Sequence, residues 1–191
     1  MIYKNKIFSE GETGGQDFED CTFDHCQFLN LEFKFVSFRR CVFNTCDFSG
    51  SHFNSTGFFK CRFPESKLSF IDFSDVEVKE CDFNNAVIAS SIFQKLKNGN
   101  KNERVKLDLS GCNYNGCYLN GTVFVLCNLS KVSFIKASLE AVIFEKCNLT
   151  EADLSEANIN GAGFEGSNVN KTILNIDGFI QFGNSKGFVL K

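Results

Sequence analysis

Large apolar residues recur at every fifth position along most of this chain, and that period restricts the fold more than any other feature. From Phe18 the series runs Phe23, Phe28, Phe33, Phe38, Phe43, Phe48, Phe53, Phe58, Phe63, Leu68, Phe73, Val78, Phe83, Ile88 and Phe93, then stops at Asn98. It resumes one register later at Leu109 and continues through Tyr114, Leu119, Phe124, Leu129, Phe134, Leu139, Phe144, Leu149, Leu154, Ile159, Phe164, Val169, Leu174 and Phe179. The chain is 43% hydrophobic, so an unbroken series of this length is far beyond chance. A period of five matches neither the helix nor the flat strand, so the chain must turn through a fixed angle every five residues. Such coils stack like parallel strands, about 4.8 Å apart, with backbone hydrogen bonds along the axis and the repeat centres facing inward. The period alone does not choose between three sides and four.

A second inward position lies two residues before each centre. It holds small or medium side chains, among them Leu31, Val36, Ser51, Thr56, Ser66, Ala86, Ser91, Thr122, Ala137 and Ala152, as a narrow core crowded by Phe requires. All 10 Cys occupy this position: Cys21, Cys26, Cys41, Cys46, Cys61, Cys81, Cys112, Cys117, Cys127 and Cys147. A metal site or a disulfide framework would place cysteines at ligand spacing or in loops. Here Cys reads as a small hydrophobe, and parallel side chains on stacked coils bridge poorly. The expectation is reduced, buried thiols in a reducing cytoplasm, with no metal and no cofactor.

Composition supports one repeatedly filled slot, with Phe occurring 24 times against one Met and no Trp. The length suits a single domain. No apolar run is long enough for a membrane span. The segment Met1–Glu10 lacks the pattern of a secretory signal, which makes a cytoplasmic protein with no membrane partner the expectation. A net charge of -3 is too mild to dictate a partner class.

The blocks Cys147-Asn148-Leu149-Thr150-Glu151, Ala152-Asp153-Leu154-Ser155-Glu156 and Ala157-Asn158-Ile159-Asn160-Gly161 repeat the order small, Asp/Asn, large apolar, polar, any. On these motifs the chain resembles the pentapeptide-repeat family from about Gln16 to Phe179. The stretch from Cys21 to Phe63 departs from it by preferring Cys and Phe to Ala and Leu. The resemblance implies an all-β fold, a right-handed quadrilateral β-helix of about eight coils with twenty residues per coil. On that spacing Cys21, Cys41, Cys61 and Cys81 form one column. The whole chain is then one domain: an N-terminal cap (1–15), a first repeat block (16–93), a loop (94–106), a second block (107–179) and a C-terminal cap (180–191).

Residues 94–106 are the one interruption, and an eleven-residue insertion places Cys112 over the Cys81 column and Cys117 over the Cys46 column. The segment carries Lys95, Lys97, Lys101, Arg104 and Lys106 against a single acid, Glu103, which leaves the rest of the chain acidic. A polar loop on a rigid rod is a natural binding element. Outward positions are mostly polar. Val123, Val125, Leu126 and Ile143 are exceptions expected on one face of successive coils. Phe35, Phe59 and Phe70 are off register in the first half, and Ile173, Ile176 and Ile180 cluster towards the C-terminus. A stack of coils needs covered ends. The tail could fold back or pair with a second chain, giving a monomer or a C-terminal homodimer. Gly183 and Gly187 argue against a long dimerising helix.

Nothing assembles a catalytic constellation. His25 and His52 fall at outward positions on different coils, and no phosphate loop, metal spacing or nucleophile motif occurs. Direct nucleic-acid binding is disfavoured because only the loop is basic. The leading expectation is a rigid, non-catalytic protein-interaction module whose partner the sequence does not name, with the loop and the Val123–Ile143 group as its binding residues. The alternative follows from the resemblance. Some members mimic B-form DNA, bind type II topoisomerases (DNA gyrase or topoisomerase IV) and protect them from quinolones.

Overall fold

The computed structural model describes residues 1–97 and 100–191, with the side chains of residues 100–102 excepted. It is a β-solenoid in which, on either side of the insertion, each residue lies over the one twenty positions earlier. Strand Thr22–Asp24 pairs in parallel with Val42–Asn44, placing Phe23 over Phe43, and Phe18 lies over Phe38 and Phe33 over Phe53 in the same way. Four repeats therefore make one coil, and the fold has four sides. Along the coils the N–H of Val42 donates to the carbonyl of Cys21, while that of Phe43 donates to Arg62 in the next coil.

The repeat centres form four inward columns, one per face. The first face carries Tyr3, Phe23, Phe43, Phe63, Phe83, Tyr114 and Phe134, with ring centroids 4.8–5.2 Å apart and planes within about 11° of parallel. The second carries Phe8, Phe28 and Phe48, the third Phe33, Phe53, Phe73, Phe93, Phe124 and Phe144, and the fourth Phe18, Phe38 and Phe58. Rings on adjacent faces meet edge to face, as Phe23 meets Phe28. Beyond Phe63 the second and fourth columns turn aliphatic, with Leu68, Ile88, Leu119 and Leu139 on the second and Val78, Leu109 and Leu129 on the fourth, all buried. Each fully buried Phe or Leu contributes roughly 1.5–3 kcal/mol. The corners between faces are turned by residues in the left-handed region, such as Asn30 (φ 54°), Lys131 (φ 61°) and Gly161 (φ 67°).

The second inward position is occupied as expected. All ten cysteines are buried and free. Apart from Cys112, their Sγ atoms face backbone carbonyls, as Cys41 faces that of Phe18 at 3.3 Å and Cys81 that of Phe58 at 3.3 Å. Serines in the same position do more. Ser66 donates to the Phe43 carbonyl (2.7 Å) and accepts from the Cys46 N–H (2.8 Å), tying its coil to the one below at two points.

Three boundaries differ from expectation. Residues 1–15 are not a separate cap. Ile2–Lys4 pairs with Thr22–Asp24, and Tyr3 and Phe8 extend the columns of Phe23 and Phe28, so the repeat begins about three units earlier than Phe18. A short 3-10 turn, Glu10–Glu12, replaces the missing side of that coil. Second, the insertion is a β-hairpin, with Lys95–Lys97 antiparallel to Asn100–Val105. As expected, Asn113 lies over Asp82 and Tyr118 over Val87, so the Cys112 and Cys117 columns hold. Third, Phe179 is not a repeat centre. The last inward residue is Leu174, and the chain then forms the helix α1, Ile176–Ser185. Asn175 caps it by accepting from the Gly178 N–H (2.9 Å). The Phe188 N–H donates to Gly183 and the Gly187 N–H to Asn184, a Schellman ending that Gly187 permits at φ 83°. The helix covers the end of the stack through Phe182, edge to face with Phe164 at 5.7 Å, and through Gln181, which accepts from the Ile159 N–H.

Two predictions follow from this core. Burial pushes the Cys46 and Cys112 thiols up to about 12, against about 8.5 for an unfolded thiol. The native chain keeps these protons after the unfolded chain has released them. The stability they confer is complete below about pH 8.5 and is lost as pH rises towards about 12. The urea midpoint should hold steady from about pH 7 to 8 and fall by about pH 10, and a Cys46→Ala/Cys112→Ala variant should show a shallower fall. Tyr114 is fully buried in a Phe column and its hydroxyl has no protein partner. Tyr114→Phe removes a buried unpaired hydroxyl and should raise stability by about 1 kcal/mol, read as a higher thermal midpoint.

Candidate protein-binding surface

The hairpin leaves the rod at the corner between the third and fourth faces, directly after strand Ile92–Phe93. Its base is tied down by a chain of hydrogen bonds: Arg104 Nε donates to Gln94 Oε1 (2.7 Å), and Gln94 Nε2 donates to Ser74 Oγ (2.7 Å). Beyond that, Lys97 pairs with Glu103 at 2.6 Å. The five basic residues of this segment are therefore not one cationic patch. Lys97 is neutralised within the hairpin and Arg104 anchors it. Lys95 and Lys106 are exposed. The Lys101 side chain lies outside the described residues.

The apolar residues predicted alongside the loop divide in two. Val123 and Ile143 are in register on adjacent coils, and Ile92 lies in register beneath Val123. Ile92 and Ile143 are 37% and 45% exposed, so they form an open column on the third face. Val125 is 7% exposed and Leu126 half-buried beside the base of the hairpin, where the Leu107 N–H donates to the Leu126 carbonyl. These two belong to the seating of the insertion and not to the open column. Phe70 joins that column instead. It occupies the neighbouring corner one coil below Ser90, is 70% exposed and has φ 62°. The corner above it holds Ser90, Gly121, Ala141 and Gly161, so the strip is bordered by small residues. Ile92 escaped the sequence reading, and Phe70 stood there only as off register and not beside Val123, because the insertion shifts the register between them and Val123. Counting the twenty-residue period across that shift would have found Ile92.

Charge is distributed in compensated pairs. Cations stack one coil from acids in Arg40–Asp20 (2.8 Å), Lys60–Glu80 (3.5 Å), Lys67–Asp47 (3.7 Å), Lys131–Glu151 (3.9 Å) and Lys136–Glu156 (3.7 Å). Hydrogen bonds from the Arg40 guanidinium hold the Asp20 carboxyl below its ordinary range. Neither the third face nor the fourth carries an unbroken series of acids, because Asp72 is followed by Ile92, Val123 and Ile143 on the third and Glu77 is preceded by Gly57 and Ser37 on the fourth. His25 contacts Asp24 at 3.0 Å on the exposed surface. Among the described residues, no group of His, Cys, Asp and Glu is arranged to hold a metal, and no helix is long and apolar enough to cross a membrane.

Because the columns continue in register on both sides of the insertion, the hairpin should be dispensable for folding. Deleting residues 95–105 is expected to leave the thermal midpoint within a few degrees of the parent; a collapse of the midpoint would show that the insertion holds the two repeat blocks together.

The family profile described as a pentapeptide repeat region matches residues 16–93 and 105–174, which leaves out most of the hairpin and all of α1. No curated protein matches the chain significantly. Among solved structures, full-length QnrB1, a plasmid-mediated fluoroquinolone resistance protein, is similar at TM-score 0.75 and 15% identity, covering 98% of this chain and 97% of its own. A trypsin-treated variant of QnrB1 is similar at TM-score 0.74 and 14% identity, covering 100% of this chain and 99% of its own. At these identities the likeness concerns the fold. The twenty-residue register, the inward Phe and Cys columns and the profile match over most of the length converge, and the chain belongs to the pentapeptide-repeat proteins.

Proposed function

We propose that this protein is a rigid, non-catalytic scaffold that binds a protein partner on its third face, beside the hairpin. The observation that carries this reading is the open column Ile92–Val123–Ile143, extended by Phe70 and flanked by the one insertion in the solenoid. Exposed β-branched residues in register on a regular sheet add nothing to a core already filled by Phe93, Phe124 and Phe144. Such a strip has the character of an interface. The ten buried thiols suit a reducing, cytoplasmic setting. The same reading assigns the apolar surface of Ile176, Phe179, Phe188, Val189 and Leu190 to self-association through the C-terminus.

A second reading, binding of a type II topoisomerase with protection from quinolones, is favoured by the full-length similarity to QnrB1. The paired charges weigh against DNA mimicry as the means, since many acids already have a stacked cation.

One comparison separates the readings. Wild-type protein, Ile143→Lys and the hairpin deletion would be assayed for gyrase supercoiling with and without a quinolone, and immobilised for quantitative capture from lysate. Rescue of the drugged gyrase that is lost in both variants would establish the topoisomerase reading. Without rescue, a captured protein that both variants lose supports the third-face scaffold. Identical capture by all three forms would remove the third face from the account.

A further inference from the structure

On the other side of the hairpin, the fourth face of the N-terminal half is hollowed into a groove of about 510 Å³. Its floor is Gly57, with Ser37 and Glu77 in register below and above it. One wall is Arg39 and Phe59, with the Arg39 guanidinium 4.4 Å from the ring centroid; Lys79 Nζ lies 5.9 Å from the same ring, outside the groove. The opposite wall is the corner series Phe35, Ser55 and Asp75, and the hairpin closes one end with Lys95 and Leu96. The Phe59 ring leans over Gly57, and a Cβ at that position would overlap it. The groove therefore depends on the absence of a side chain at Gly57.

Two features of the lining are not required by the packing of the core. Phe35 occupies a corner in the left-handed region, φ 53°, and is 70% exposed. That conformation favours Gly, Asn or Asp, and an exposed aromatic ring recovers little of the cost. Arg39 makes no ion pair among the described residues, whereas its neighbour Arg40 is held by both Glu19 and Asp20. Lys79 is paired with Glu77, and Asp75 Oδ2 accepts from the Ser55 N–H. Among the described residues, Arg39 and Lys95 are left as the cations without a carboxylate partner in the groove, on a rod that is otherwise acidic.

We propose that this groove docks an extended segment of a partner protein that presents acidic side chains between large apolar ones. From the coil of Phe35 to that of Lys95 is three coil spacings, about 14 Å, the length of roughly four extended residues. The segment crosses the strands, so recognition is by side chains. Apolar groups cover Phe35, Phe59 and Leu96, while a carboxylate takes the open edge of the Arg39 guanidinium, whose planar fork suits it. This surface is separate from the third-face strip, and its test does not depend on that reading.

The test is fluorescence anisotropy with labelled peptides of alternating Asp and Phe, alternating Lys and Phe, and alternating Asp and Ser, titrated with full-length protein. The Asp/Phe peptide should bind and the other two should not. Arg39→Glu should weaken binding by about tenfold or more, as expected for a lost charged hydrogen bond. Phe35→Asn should abolish binding while leaving the thermal midpoint unchanged or higher, because Asn tolerates the corner conformation. Ile143→Lys should bind like wild type. Failure of the Asp/Phe peptide to bind wild type, equal binding of the Lys/Phe peptide, or unchanged binding by Phe35→Asn and Arg39→Glu would overturn the proposal.

Discussion

The whole structure rests on one coincidence of distances. Hydrogen-bonded parallel strands lie about 4.8 Å apart, and offset aromatic rings stack at nearly the same separation. A Phe at each repeat centre therefore satisfies the backbone and the core with one spacing. Phe23, Phe43, Phe63 and Phe83 stack at 4.8–4.9 Å while their strands and bridges keep register. Where the rings give way to Leu68, Ile88 and Leu119 on the second face, a buried apolar centre still stands at each step of the hydrogen-bond ladder. The long unbroken series of apolar centres is the trace of that double requirement.

The same requirement explains how the insertion is tolerated. The extra residues leave the rod as a hairpin, and the next coil resumes over the previous one with Asn113 on Asp82 and Val123 on Ile92. What yields is the fourth face, where the sheet ending at Val76–Lys79 and the pair Leu107–Asp108 with Cys127–Asn128 are separate. The insertion thus divides the fourth face, while the first, second and third faces pair directly across it. It also sets the positions of both candidate binding surfaces, because the third-face strip lies on one side of it and the Gly57 groove on the other.

A solenoid whose interior is fully packed has no central cavity in which to build a site, so specificity must come from departures on its surface. Most corners use polar residues or Gly, as Asn30, Lys131, Glu151 and Gly161 do, and most outward positions are polar, several of them with a stacked opposite charge. Against that background Phe35, Phe70, Ile92, Val123 and Ile143 carry a cost in exposure or backbone conformation that the fold does not repay. A patch of this kind contributes to association only if it is held flat and rigid, and the ladder of coils beneath it does that.

Much of this was legible in one dimension. A period of five with inward residues at two positions is a local rule, written anew in every repeat, so the columns, the burial of every cysteine and the eleven-residue length of the insertion could be read from the sequence. The two ends could not. Tyr3 and Phe8 follow the period, but a 3-10 turn stands where the next centre should be, and Phe179 follows it yet lies in a helix because Asn175 caps a new element there. The surfaces were also beyond reach. Whether Val125 is open like Val123 or buried beside the hairpin, and whether Phe59 turns its ring over Gly57, depends on side chains brought together from different coils and from the insertion. The sequence by itself determined the solenoid, because each repeat specifies its own turn and its own share of the core. Only the tertiary structure decided the surfaces, because their residues become neighbours only when the coils are stacked.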